Sequence, residues 1–148
     1  MARTDLPTRT TADTAAAHVS DHNQVHTELN RGDLLYLVVA GVVSQGNGTL
    51  RYGFPFAATI EGVQLHCGTA PTGGGSLEVD LKKNGTSSMF SGSKPAIALT
   101  TNYDAETAAD QNNELNGTTD YVRVDITDVG DTVAGADLTV VIRYTRGA

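Results

Sequence analysis

Three histidines, His18, His22 and His26, recur at every fourth position. On a helix, two histidines four apart share a face and can chelate a divalent metal. No glutamate follows the first of them in the zinc-protease pattern. At about 100° per residue, His18 and His26 also drift roughly 80° apart. The expected role is packing or polar contact, with no metal. If copies of this helix pack together, the stripe would make assembly sensitive to pH near ~6.5. Assembly unchanged between about pH 5 and 8 would contradict that expectation.

Asp125, Asp128, Asp131 and Asp137 gather near one turn-rich stretch. Calcium favours such oxygens, but the alternating ligand order and closing glutamate of a helix–loop–helix site are missing. Solvated turn acids are expected. Asn-Gly-Thr occurs at Asn47, Asn84 and Asn116, formally glycosylation acceptors. Asn-Gly also supplies the positive φ that tight hairpins require, and turns are the expected role. Gly73, Gly74 and Gly75 join two strand signals, with no following helix N-terminus to hold a phosphate. No nucleophile elbow links the serines, histidines and aspartates. Cys67, the single cysteine, allows no intrachain disulfide and falls on the apolar phase of its strand, so a buried, inert thiol is expected. No catalytic residue and no cofactor is expected.

The elements that would carry these residues begin with residues 1–10, a polar arm with Arg3, Pro7 and Arg9. Its positive charge suits docking on an acidic neighbour. Residues 11–30 read as a helix. Thr10 or Thr11 can cap it, Asp13 suits its N-terminal dipole, Ala15–Ala17 are strong helix formers and Gly32 can stop it. Its stripe runs through Ala15, Val19, His22, Val25 or His26, and Leu29. Roughly 30 Å of such a weakly apolar helix needs a partner surface.

Leu34 to Ser44, LLYLVVAGVVS, is a nearly continuous apolar run. It reads as a strand buried on both sides or at a subunit interface. Asn47-Gly48 reads as the hairpin turn into a strand over Leu50–Phe56. Val63, Leu65 and Cys67, then Leu77, Val79 and Leu81, alternate with polar residues, which puts one face of each strand in a core. Further strands are expected at Thr86–Phe90, Ala96–Thr100, Tyr121–Thr127 and Leu138–Tyr144, with residues 101–119 as a long contact loop. About eight short strands with no helix between them predict a mainly β fold, an antiparallel jelly-roll-like sandwich. Residues 1–33 form the arm and helix; residues 34–148 form the sandwich domain.

Composition sets outer bounds. A chain of 148 residues is about one domain, large enough to bury a core. The net charge of −7 and pI near 4.8 argue against nucleic-acid binding. Ten apolar residues are too few to span a bilayer, so no membrane partner is expected. No apolar run follows the charges of MARTDLPTRTT, so synthesis in a cytoplasm is expected.

The run AAAHVSDHNQVHTELN sets His18, Asp21, His22, Asn23 and His26 in the order His–x–x–Asp–His–Asn–x–x–His. It resembles a helix near the start of many tail and virion proteins of bacteriophages, especially those infecting actinobacteria. The stretches FPFAATIEGVQLHCGTAPTGGGSLEVDLKKNGTSSMF, SKPAIAL and VGDTVAGADLTVVIRY resemble a β-sandwich module of the same proteins. The resemblance covers most of residues 15–145. It implies a non-enzymatic virion protein. In larger relatives the module is an appendage of a long tail protein, whereas here arm, helix and sandwich stand with little else. A small sandwich of this kind resembles a capsid decoration protein, often a trimer.

A capsid decoration (minor capsid) protein is therefore the first expectation, with sister copies and the major capsid protein or another virion protein as partners. The expected assembly contacts are Arg3, Arg9, His18, Val19, His22, Val25, His26 and Leu29, together with the Leu34–Val43 strand. A minor tail or adhesin module touching a host glycan or protein through loop 101–119 is the second expectation. A carbohydrate-binding module, with Tyr52, Tyr103 or Tyr121 as sugar platforms, is the third.

Overall fold

A computed structural model describes residues 32–147. The arm and helix expected over 1–30, and with them Arg3, Arg9, His18, Val19, His22, Val25, His26 and Leu29, lie outside the described residues.

The described chain is mainly β, in ten strands. They are β1 (Asp33–Val42), β2 (Gly46–Gly53), β3 (Ala58–Thr69), β4 (Leu77–Lys83), β5 (Ser87–Ser88), β6 (Ala96–Ile97), β7 (Thr107–Ala108), β8 (Glu114–Leu115), β9 (Tyr121–Asp128) and β10 (Ala136–Arg146). They form two sheets in which every pairing of the ladder is antiparallel. The first sheet has the order β1-β10-β3-β7, with β8 also on β3. The second has the order β2-β9-β4-β5, with β6 also on β4.

Alternation fixes which side of each strand faces the core. Val63, Leu65 and Cys67 of β3 are buried, as are Leu138, Val140 and Ile142 of β10. From the second sheet come Leu77, Val79 and Leu81 of β4 and Val122, Val124 and Ile126 of β9, also buried. β3 and β4, joined by the glycine-rich linker, thus belong to opposite sheets. One end is closed by aromatic rings. Phe54 packs edge-on against Tyr52 and Tyr144, with centroids 4.9 Å away in each case, and Phe56 lies 5.8 Å from Phe54. Such pairs add to stability beyond the area they bury.

Two turn expectations meet different outcomes. Asn84 and Gly85 both take positive φ, 53° and 74°, and turn β4 into β5. Asn47-Gly48 is not a hairpin turn. It lies inside β2, where the register against β9 shifts between Gly46 and Leu50. β1 and β2 are in different sheets, so no hairpin joins them. Gly48, at φ 69°, instead turns its N–H onto the carboxylate of Asp125.

The expected strands shorten where Ser, Gly, Asn and Asp accumulate. Thr86–Phe90 keeps only β5, and Ala96–Thr100 only β6. The expected loop 101–119 contributes β7 and β8, which cover the free side of β3. Side chains hold this region: Asn113 Nδ2 donates to the carbonyls of Ile60 and Ala109 at 2.9 and 3.0 Å, and Asp104 accepts from the Ala96 N–H at 3.0 Å.

Candidate assembly surface

The run Leu34–Val43 is not buried on both sides by the described residues. Leu35, Leu37 and Val39 turn inward and pack on the core. Leu34, Tyr36 and Val38 turn outward and are 50%, 59% and 57% exposed, and Val42 is 78% exposed. A strand at the end of the sheet order has no neighbour on its free side, and nothing of the described body lies over its outer face. Four of the six large hydrophobic side chains exposed among the described residues are on this one strand.

The register extends the patch across the sheet. Tyr36 stands beside Val141 of β10, which stands beside Gln64 of β3. Val38 stands beside Thr139 and then His66, and His66 bridges to Tyr103. The His66 and Tyr103 rings stack at 6.4 Å with an angle of 23°. Charges rim the patch and are paired. Arg143 Nε donates to Glu106 at 2.9 Å, and Arg146 reaches Asp33 at 3.3 Å. The Arg143 guanidinium hydrogen-bonds the Glu106 carboxyl and holds it below its usual range. At the far end Asp137 accepts the Gly41 N–H at 2.8 Å.

The outer face of the second sheet is of another kind. Asp80 and Asp125 point away from the core and are nonetheless buried. Asp125 receives Arg123 at 2.7 Å and Lys82 at 3.2 Å, and Asp80 receives the Ser88 hydroxyl at 2.7 Å and faces Lys94 at 3.5 Å. Burial by itself would raise the Asp125 carboxyl, but the donors from Arg123, Gly48 and Lys82 outweigh it and hold it low. These charges pair with one another, although Arg123 Nε is buried with no hydrogen-bond partner.

The other sequence candidates separate. Asp128 accepts the Ser76 and Val129 N–H groups, each at 3.0 Å, while Asp125 and Asp137 serve the partners above. Asp125, Asp128 and Asp137 therefore serve separate local partners, and Asp131 enters only through its backbone N–H, which donates to the Gly74 carbonyl at 3.0 Å. Among the described residues no three His, Cys, Asp or Glu side chains group in a metal-holding arrangement. Cys67 is buried, and burial pushes its thiol up, away from the reactive thiolate. Of the three tyrosines considered as sugar platforms, Tyr52 packs on Phe54, and Tyr121 lies under Arg51 at 5.6 Å. Tyr103 alone is open, at 64%. His66 was not expected to matter; its outward phase in β3 was legible, its pairing with Tyr103 was not. Comparison with protein-family models, with curated proteins and with solved structures returned no match.

Proposed function

We propose that this chain is a non-enzymatic structural protein of a phage virion, a capsid decoration protein that binds and stabilises the assembled shell as a homotrimer. The observation that carries the reading is the strand order. The chain visits the first sheet with β1, the second with β2, the first with β3, the second with β4 to β6, the first with β7 and β8, the second with β9 and the first with β10. Taking β5 with β6 and β7 with β8 as two interrupted strands gives eight strands in two sheets. That alternation supports a jelly-roll reading of the two sheets, an architecture used by viral capsid and lectin domains. A β-sandwich body is also what the proposed phage resemblance implies. The fold alone does not fix the role. The test is co-sedimentation with shells that lack the protein, made beside a chain starting at Asp33. Binding by the full chain and not by the shortened one is expected, because the arm and helix are proposed to grip the shell. No binding by either would overturn the reading.

A second reading has its own observation. The open Tyr103 ring, stacked on His66, belongs to the stretch 101–119. It would suit a tail-borne module that touches a host glycan. Glycan binding that Tyr103→Ala abolishes, together with no affinity for shells, would favour it.

A further inference from the structure

We infer that the outer face and free edge of β1, centred on Tyr36 and Val38, are the surface through which copies of this chain associate. The inference rests on the self-association proposed above and gives it an address.

The sheets have four edges, and three of them are blunted. β5 to β8 are two-residue strands. β2 carries Arg51 and is broken by a register shift between Gly46 and Leu50. Short strands, charge and bulges are the devices by which proteins keep sheet edges from pairing. β1 lacks them over most of its length. Asp33 to Val39 pairs residue for residue with Tyr144 to Leu138, and irregularity begins only beyond Val39. It contains no proline and no lysine, and no charged side chain occurs between Asp33 and Arg51. A long, apolar edge with no described residue paired on its free side is open to disordered aggregation unless a defined partner covers it.

The partner that fits is a second copy of the same chain. Each copy carries a net charge of −7, so any two repel unless they meet through neutral surface. The β1 strip is such a surface. Its neighbours Thr139, Val141 and Gln64 are uncharged, and the nearby Arg143, Glu106, Arg146 and Asp33 are already paired with one another. Where the strip lies on the rotation axis that relates the copies, twofold or threefold, the same residues of each copy converge. Tyr36 and Val38 would then meet their own counterparts, apolar against apolar. A strongly acidic or basic partner would find no charge here to pair with. Outside β1, the large apolar side chains exposed among the described residues are Tyr103 and Val133, too few to form a separate counterpart.

The test is the mass of the full-length protein in solution by sedimentation and light scattering, for the native chain, for Tyr36→Lys/Val38→Lys, and for the control Thr49→Lys on β2. The native chain and the control are expected as a defined oligomer, and the double variant as a monomer or an oligomer weakened at least about tenfold. A native chain that is monomeric at about 100 μM, or a double variant that associates like the native chain, would overturn the inference. If the double variant fails to fold, Val38→Thr replaces it. This near-isostere at an exposed position is expected to weaken association several-fold, and unchanged association would overturn the inference. Shell binding is measured on the same samples. A native monomer that still binds shells would overturn this inference and the proposed trimer while shell binding stands; an oligomer lost on changing β1, but without shell affinity, would overturn the shell-binding role and leave this inference standing.

Discussion

Asp125 has no exposed side-chain surface, although it stands on the outer side of its sheet. Arg123 and Lys82 fold over it and keep 17% and 24% of their side-chain surface. Removing one partner of a buried ion pair strands the other and costs about 3–5 kcal/mol; here the cations reach water, so roughly 2–3 kcal/mol is expected for Asp125→Ala. The midpoint of urea unfolding measures it. Asp120 shows a second charge effect. The Asn116 N–H, then Asn84 and Lys83, hold its carboxyl down to about 2 from an ordinary 3.8. An acid depressed in the fold stabilises it fully above the ordinary pKa and stops doing so as pH falls through the folded one. The native protein should therefore lose stability between about pH 4 and pH 2, and Asp120→Asn should flatten that part of a plot of Tm against pH. Neither role was legible in the sequence. Arg123 and Asp125 alternate with Val122 and Val124 just as a solvated strand face would, and the pattern carries no sign of which cross-strand neighbour will cover them.

At the scale of elements, alternation was readable and its absence was not. The inward phases of β3, β4, β9 and β10 follow directly from their period of two. LLYLVV has no period, so it fits a strand buried on both sides or one with an apolar side to spare. The structure decides against two-sided burial among the described residues. Asn47-Gly48 misled for a related reason: positive φ serves a bulge as well as a hairpin, and only the partner strand distinguishes them. The turn from β8 to β9 provides an element-scale test. A methyl group at Gly117 would run into the backbone of Phe56 and lie 2.7 Å from the Ala57 nitrogen. Backbone cannot swing aside as a side chain can, so Gly117→Ala should destabilise by about 1–3 kcal/mol or more, read by the same urea midpoint. Gly92, which has open space around it, is the control, and Gly92→Ala should stay within about 0.5 kcal/mol.

At the scale of the whole molecule, the two sheets divide the work. The second closes its outer face with paired charges. The first leaves apolar side chains in the open along β1, and these are the proposed meeting point of copies. Which strands share a sheet was not legible, because sheet membership depends on partners far along the chain, as when Leu37 meets Val140. A protein that binds only the assembled shell raises the shell's stability by mass action, by an amount that grows with free concentration above Kd. The most direct measurement is therefore the thermal disruption temperature of shells lacking the protein, with the full chain titrated in. The account requires that temperature to rise with concentration and level off once the binding sites are full. A disruption temperature that stays constant while the protein is in large excess would contradict it.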